Sequence, residues 1–301
     1  MNEIVLQTFD LAKQYGPVRA VAGIDLPVYR GEVYGFLGPN GAGKTTTIGM
    51  ALGLIHPTTG RVELFGQPVS PAHVTPLRRV GALVGAPSYV PYFSARRNLQ
   101  LVARLYPDVG AARIDEVLEM VGLAQAANRP VRGYSMGMKQ RLGLAAALLH
   151  KPELIILDEP TNGLDPAGMR EVRDLLRSLA GGGTTIFLSS HLLHEVEQTC
   201  DRVAVLKQGQ IVAQGRVSEL LGQRQVVRVR VPLPTVAREA LLQSGVPADQ
   251  IRTNGSYVEV TGLPGEQIVE RLAAHAIYPG EVIAQGTDLE ETFLELTREA
   301  V

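Results

Sequence analysis

The segment Gly38-Pro39-Asn40-Gly41-Ala42-Gly43-Lys44-Thr45 constrains this chain more than any other. It satisfies G-x-x-x-x-G-K-[ST] at every fixed position. It follows a compact apolar run, 33–37, and precedes a helix predicted over 44–54 and ended by His56-Pro57. Strand, glycine loop and helix in that order make a phosphate cradle. The glycines let the backbone curl around an anion, and the helix turns its N–H groups and positive end toward it. Lys44 is then expected to reach the β- and γ-phosphates of a nucleotide, and the Thr45 hydroxyl to ligate Mg²⁺. The plain alternative is a glycine-rich turn with a chance lysine; the flanking strand and helix argue against it.

A second apolar run, Leu154-Ile155-Ile156-Leu157, ends in Asp158-Glu159. In an open parallel sheet, ligands sit beyond the carboxyl ends of the strands, on the side of the phosphate loop. Asp158 is therefore expected to hold Mg²⁺ through its oxygens, and Glu159 to accept a proton from an attacking water. Taken without that loop, two solvated acids at a strand end would explain the pair equally well. A third segment, Tyr134-Ser135-Met136-Gly137-Met138-Lys139-Gln140-Arg141, opens the helix that contains 142–149. Ser135 reads either as a plain N-cap or, with the backbone around Gly137, as a second anion site at a helix N-terminus.

Apolar strands predicted at 154–157 and 184–188 alternate with a helical pattern at 169–179. This alternation points to a parallel α/β sheet covered on both faces. The middle of the chain, 88–152, reads as helix-rich. Within it Ile114, Val117, Leu118 and Val121 share one face of a helix over 113–121. Short strands are expected at 4–9 and 18–21. Beyond 221 the composition shifts, and Val227, Val229 and Val231 alternate with Arg228 and Arg230 as in a half-buried strand. Further strands near 256–260 and 281–285, with helices near 235–243, 265–276 and 288–298, make 222–301 a small α+β appendage of ferredoxin-like type.

At 301 residues the chain is long enough for two domains and a core that needs no disulfides. Its one cysteine, Cys200, rules out an internal disulfide and a multi-cysteine zinc site, which fits a reducing compartment. With 29 Lys+Arg against 30 Asp+Glu, it is not a globally basic nucleic-acid binder. No signal peptide is evident at Met1-Asn2-Glu3. An apolar run of 8 residues such as 142–149 is far short of the roughly 20 that cross a bilayer.

Four elements in fixed order, GPNGAGKTT (38–46, ending in Thr46), YSMGMKQR (134–141), LIILDEP (154–160) and NGLDP (162–166), are followed by His191. Over about 1–220 the chain resembles the nucleotide-binding subunit of ATP-binding-cassette (ABC) transporters. The resemblance is nearest to bacterial exporters of the multidrug and bacitracin-resistance type. It implies a P-loop NTPase cassette at 1–221: a RecA-like parallel core, an antiparallel β subdomain and a helical subdomain inserted at about 88–152. The accessory domain 222–301 follows.

The resemblance also implies residue roles. Ser135 and Gly137 match the signature segment that caps ATP on an opposing cassette, Asp165 the segment that communicates across that dimer, His191 the histidine that contacts the γ-phosphate, and Tyr15 the aromatic that stacks on adenine. Residues 89–98 open the region that faces the membrane subunit. The implied activity is ATP hydrolysis coupled to transport through a separate permease, with ATP and Mg²⁺ as cofactors, a second cassette as partner and no nucleic acid. The implied location is the cytoplasmic face of the membrane.

Two departures stand out. Tyr134, Met136 and Met138 replace three of the five usual signature residues, and Gly85 stands where a glutamine usually follows the strand at 80–84. The rival readings are a sensing cassette with negligible turnover and a cassette ATPase acting on nucleic acid or ribosomes.

Overall fold

The computed structural model describes residues 3–85, 88–222 and 226–285, and the chain divides into two units, Met1–Gln214 and Gly215–Val301. The first unit opens with an antiparallel pair, β1 (Ile4–Tyr15) and β2 (Val18–Tyr29). Both strands run well past the segments expected from alternation. The reason lies in irregular register around Thr8–Leu11, where Asp10 adopts a left-handed φ of 43° and its N–H donates to an Asp25 carboxylate oxygen at 2.9 Å. Such a bulge breaks the period-2 pattern while the ladder continues beyond it.

Next come β3 (Val33–Leu37), α1 (Lys44–Ala51), β4 (Thr59–Leu64), the short β5 (Gln67–Pro68) and β6 (Val80–Leu83). Strand β4 pairs with β1, giving a four-stranded sheet of order β2-β1-β4-β5. Helix α1 stops three residues before the predicted end. Gly53 takes φ 67°, and the N–H groups of Leu54 and Ile55 both donate to the Gly49 carbonyl, which closes the helix. Three helices follow, α2 (Ala95–Ala103), α3 (Ala111–Met120) and α4 (Met136–Leu148), and Ile114, Val117, Leu118 and Val121 are all buried as expected.

The chain then returns through β7 (Leu154–Asp158), α5 (Pro166–Gly181), β8 (Thr185–Ser190), α6 (Leu193–Thr199), β9 (Arg202–Lys207) and β10 (Gln210–Arg216). The resulting six-stranded sheet has the order β10-β9-β3-β8-β7-β6, parallel from β9 to β6. Every residue of β3, β7 and β8 is buried, so these strands read as continuous apolar runs. Tyr34, Phe36 and Phe187 stack within a core shared by this sheet and the antiparallel one. This is the P-loop NTPase architecture: a parallel core, an antiparallel β layer and a helical segment between β6 and β7.

The second unit contains α7 (Val217–Gly222), β11 (Val226–Arg230), α8 (Pro234–Gln243), β12 (Ile251–Asn254), β13 (Tyr257–Thr261), α9 (Gly265–Ala273) and β14 (Glu281–Gln285). Its antiparallel sheet has the order β12-β13-β11-β14, and each of α8 and α9 connects two strands, as in a ferredoxin-like layer. Val227, Val229 and Val231 face its core with Leu241, Ile268 and Leu272. The sequence reading missed β12, a four-residue strand in which only Ile251 is buried. The helix expected at 288–298 lies outside the described residues.

Candidate functional site

The phosphate loop leaves β3 at Gly38, whose N–H donates to the Ser190 carbonyl at 3.2 Å. A Cβ on Gly38 would stand 2.4 Å from the Leu206 carbonyl oxygen; on Gly43, which has φ 108°, it would stand 2.4 Å from that of Ala20. Only glycine fits either place. The first-turn N–H groups of a helix have no intrahelical partner, and Gly43 offers α1 no side-chain cap, so this helix end is open to an anion. Lys44 is buried along its length. Its Nζ donates to the carbonyls of Gly38 at 2.6 Å and Pro39 at 3.3 Å and lies 3.1 Å from Glu159 Oε1.

Strands β7 and β8 lie side by side with Asp158 opposite Ser189. Asp158 is 8% exposed and accepts from the Thr45 hydroxyl at 2.9 Å and from the Ser189 hydroxyl at 2.7 Å. Ser189 Oγ in turn accepts the Glu159 N–H at 3.0 Å. Glu159 has φ 52°, a left-handed conformation that costs energy for a residue with a Cβ and persists where the surroundings impose it. It sends Oε1 toward Lys44 and Oε2 toward His191 Nδ1, at 2.5 Å.

Pro39, Asn40, Gly41, Gly43, Lys44, Thr45, Thr46, Glu159 and His191 line one cleft of about 380 Å³. Gly38, Ala42 and Asp158 stand outside that lining: Gly38 abuts β9, Ala42 is 3% exposed, and Asp158 is bound to Thr45. Ala20 and Asn162 complete the lining; Ala20 was not singled out in the sequence, and Asn162 opens the NGLDP segment with no role of its own assigned. Ser189, which fastens both carboxylate residues, was also missed. Its signal is a tandem of serines ending the buried run Ile186-Phe187-Leu188.

Four residues matched through the family resemblance do not line this cleft. Tyr15 lies at the end of β1, 47% exposed, with Lys13 Nζ 5.0 Å from its ring. Ser135 caps α4, accepting the Met138 N–H at 3.2 Å. Gly137 lies close to Leu164, whose Cδ2 would be 3.1 Å from a Cβ placed there. Asp165 caps α5 through the Gly168 N–H at 3.1 Å. Gly85 is exposed with φ 64°, and a Cβ added to it would meet nothing within 4 Å, so a side chain would find space but a strained backbone. Cys200 is 4% exposed and burial pushes its thiol pKa far up, which leaves it unreactive.

Thr45 and Asp158 are hard oxygen donors held together beside the helix N-terminus. Mg²⁺ takes such a donor set together with substrate phosphates and water. Among the described residues no group of three or more His, Cys, Asp and Glu side chains is arranged to hold a metal on its own.

Before β7, the chain makes a second exposed feature. Asn98 accepts the Val90 N–H at 2.9 Å and donates to the carbonyls of Ser94 at 3.0 Å and Val90 at 3.2 Å. The turn it holds presents Val90, Tyr92 and Phe93 to solvent, Tyr92 at 73% exposure. Tyr89 donates from its hydroxyl to the Lys139 carbonyl on α4 at 3.0 Å.

A phosphate cradle on a parallel sheet, with acids at the next strand ends, defines a nucleotide-binding P-loop protein. Residues 21–162 match the ABC transporter family. The daunorubicin resistance ATP-binding protein DrrA3 of Streptomyces coeruleorubidus is 40% identical over 297 residues, covering 95% of this chain and 93% of that protein. The bacitracin transport ATP-binding protein BcrA of Bacillus licheniformis is 49% identical over 209 residues, 69% of this chain and 68% of its own length. Among solved structures, the dimeric post-hydrolysis state of the ATP-binding cassette MJ0796 bound to ADP and Pi superposes with a TM-score of 0.64 at 25% identity, over 70% of this chain and 98% of that one. The chain belongs to the ABC transporter ATP-binding family.

Proposed function

We propose that this chain binds MgATP in the cleft between the phosphate loop and Glu159, hydrolyses it, and drives export through a separate membrane permease. The observation that carries the reading is the convergence of Lys44, Thr45, Asp158, Glu159 and His191, drawn from three strand ends, on one helix N-terminus. Lys44 and the open end of α1 receive the phosphates. Thr45 and Asp158 hold Mg²⁺, which offsets negative charge on the phosphates when bound. Glu159 takes the proton of the attacking water, and His191 holds Glu159 and meets the γ-phosphate.

Two copies pair head to tail, each supplying Ser135 and Gly137 to the nucleotide of the other, with Asp165 near the contact and Tyr15 stacked on adenine. The cassette spans 1–221, with its helical subdomain at about 88–152, and 222–301 is an accessory domain. Among the described residues no helix is long and apolar enough to cross a membrane. In this reading the protein sits on the cytoplasmic face through its permease, and the exposed apolar turn at Val90, Tyr92 and Phe93 supplies a surface for it. The export direction follows from the resemblance to the exporter subgroup, and relatives named for bacitracin transport and daunorubicin resistance are consistent with it. Gly85 favours one second reading, a sensing cassette with negligible turnover, because no side chain there can reach metal or water.

The test is a pull-down of tagged Glu159→Gln from gently solubilised membranes with ATP and Mg²⁺. Recovery of a specific polytopic protein supports the transporter reading. Recovery of ribosomes or nucleic acid without a membrane protein contradicts it. Steady phosphate release by the same complex assembled with the wild-type chain rules out the sensing cassette.

A further inference from the structure

Strand β8 ends in two serines, and successive side chains of a strand point to opposite faces. Ser189 serves Asp158 and Glu159 at the cleft. Ser190 turns the other way, accepts the Leu192 N–H at 3.0 Å and donates to Glu195 Oε2 at 3.2 Å. The same carboxylate oxygen accepts from the Thr161 hydroxyl at 2.7 Å. Thr161 lies two residues after Glu159, and Ser190 immediately precedes His191. One oxygen thus gathers a hydroxyl from each of the two turns that carry the Glu159–His191 pair. Its sister, Oε1, is sealed from solvent without a hydrogen-bond partner. An unpaired buried carboxylate oxygen carries a desolvation cost, so this side chain is held in place against its own solvation.

We propose that Glu195 is a positioning residue for ATP hydrolysis. It ties the Glu159–Thr161 turn to the Ser190–Leu192 turn and thereby keeps Glu159 and His191 within hydrogen-bond reach. The proposal rests on the reading above, in which that pair performs the chemistry. The tether has work to do, because Glu159 is strained at φ 52° and relaxes unless its turn is held. On the far side of Thr161 and Glu195 an open cleft of about 460 Å³ runs between α5 and α6, lined also by Met169, Arg173 and Leu188. Each turn also has backbone bonds of its own, Asn162 N–H to the Glu159 carbonyl at 3.1 Å and Gly38 N–H to the Ser190 carbonyl at 3.2 Å, and Glu195 is the side chain that joins the Thr161 hydroxyl of one to the Ser190 hydroxyl of the other.

The test measures ATP affinity and hydrolysis in the full-length chain for Glu195→Ala and Glu195→Gln. Displacement of reacting groups by about 1 Å costs on the order of 10²-fold in rate. Glu195→Ala is accordingly expected to lower kcat by about 10- to 100-fold, with the ATP dissociation constant unchanged within about 2-fold. Glu195→Gln keeps a carbonyl oxygen for both hydroxyls and is expected to restore kcat to within about 3-fold of wild type. In a His191→Ala background, the further loss from Glu195→Ala shrinks below about 3-fold, because residues acting as one unit are not additive.

If Glu195→Ala fails to fold, Thr161→Val and Ser190→Ala each remove one tether and are expected to show the same split. An unchanged kcat in the alanine variant, a parallel loss of ATP affinity, no rescue by glutamine, or additivity with His191→Ala each overturns the proposal. A wild-type chain that releases no phosphate, or a Glu159→Gln variant as fast as wild type, overturns the underlying reading and this proposal with it. Either result is seen without touching Glu195, so the two failures are told apart.

Discussion

Glu159 and His191 stand 32 residues apart in sequence, yet Glu159 Oε2 and His191 Nδ1 meet at 2.5 Å across adjacent strand ends. The contact orients the carboxylate whose other oxygen faces Lys44. Removing the imidazole with His191→Ala is expected to lower ATP hydrolysis by about 10²-fold, at the low end of what acid–base groups contribute, while ATP still binds. Phosphate release and a binding titration on the same preparation check both halves; wild-type turnover would remove His191 from the chemistry.

Lys44 is buried with its ammonium among the Gly38 and Pro39 carbonyls and Glu159. Hydrogen bonds from a charged group contribute about 1.5–3 kcal/mol. Lys44→Ala is therefore expected to weaken ATP binding by about 10- to 100-fold. Calorimetric titration measures it directly, and undiminished affinity would count against the phosphate-loop assignment.

Ser189 is fully buried and satisfies two partners at once, Asp158 Oδ1 and the Glu159 N–H. In Ser189→Ala both are stranded, at a cost of about 1–3 kcal/mol. For a domain of this size that corresponds to a Tm lower by about 2–4 °C per kcal/mol. Thermal unfolding of the variant reads this out, and an unshifted Tm would mean that the two groups find other partners.

Acid acts elsewhere, at the start of β7. Glu153 accepts from Arg79 at 2.5 and 2.7 Å and from Arg30 at 2.9 Å, and these guanidinium bonds hold its carboxyl down at about 2 against an ordinary 4.5. Below 4.5 the unfolded chain binds this proton and the folded one does not. The contribution to stability is therefore complete above 4.5 and is lost as pH falls toward 2. The side chain is 40% exposed, so solvent screening limits the effect to about 1 kcal/mol. The Tm gap between wild type and Glu153→Gln is expected to be open at about pH 6 and to close by about pH 2; a gap independent of pH would place the stabilisation outside this ion cluster.

The phosphate loop and Asp158-Glu159 were legible because they hold fixed spacing on uninterrupted apolar strands, whose burial on both faces leaves a strong sequence trace. The length of β1 was not, since the bulge at Asp10 breaks the alternation that marks a strand. Ser189, Thr161, Ser190 and Glu195 were missed for a different reason. Their contacts arise only because β8 is laid beside β7, an adjacency that no local spacing encodes. Tyr15 was legible through family resemblance alone, whereas Ser135 and Gly137 were also marked by their place at the start of a helix, where Ser135 is the N-cap. They do not line the cleft of their own chain, and the roles proposed for Ser135 and Gly137 require a second copy.

In the proposed function, Glu159 activates water on a nucleotide held by Lys44 and the α1 N-terminus. The most direct measurement is single-turnover hydrolysis of MgATP by wild type and Glu159→Gln, with ATP affinity titrated in parallel. Affinity is expected to be equal within about 2-fold and hydrolysis slower by about 10²–10⁴ in the variant. Phosphate release at the wild-type rate from Glu159→Gln would contradict it.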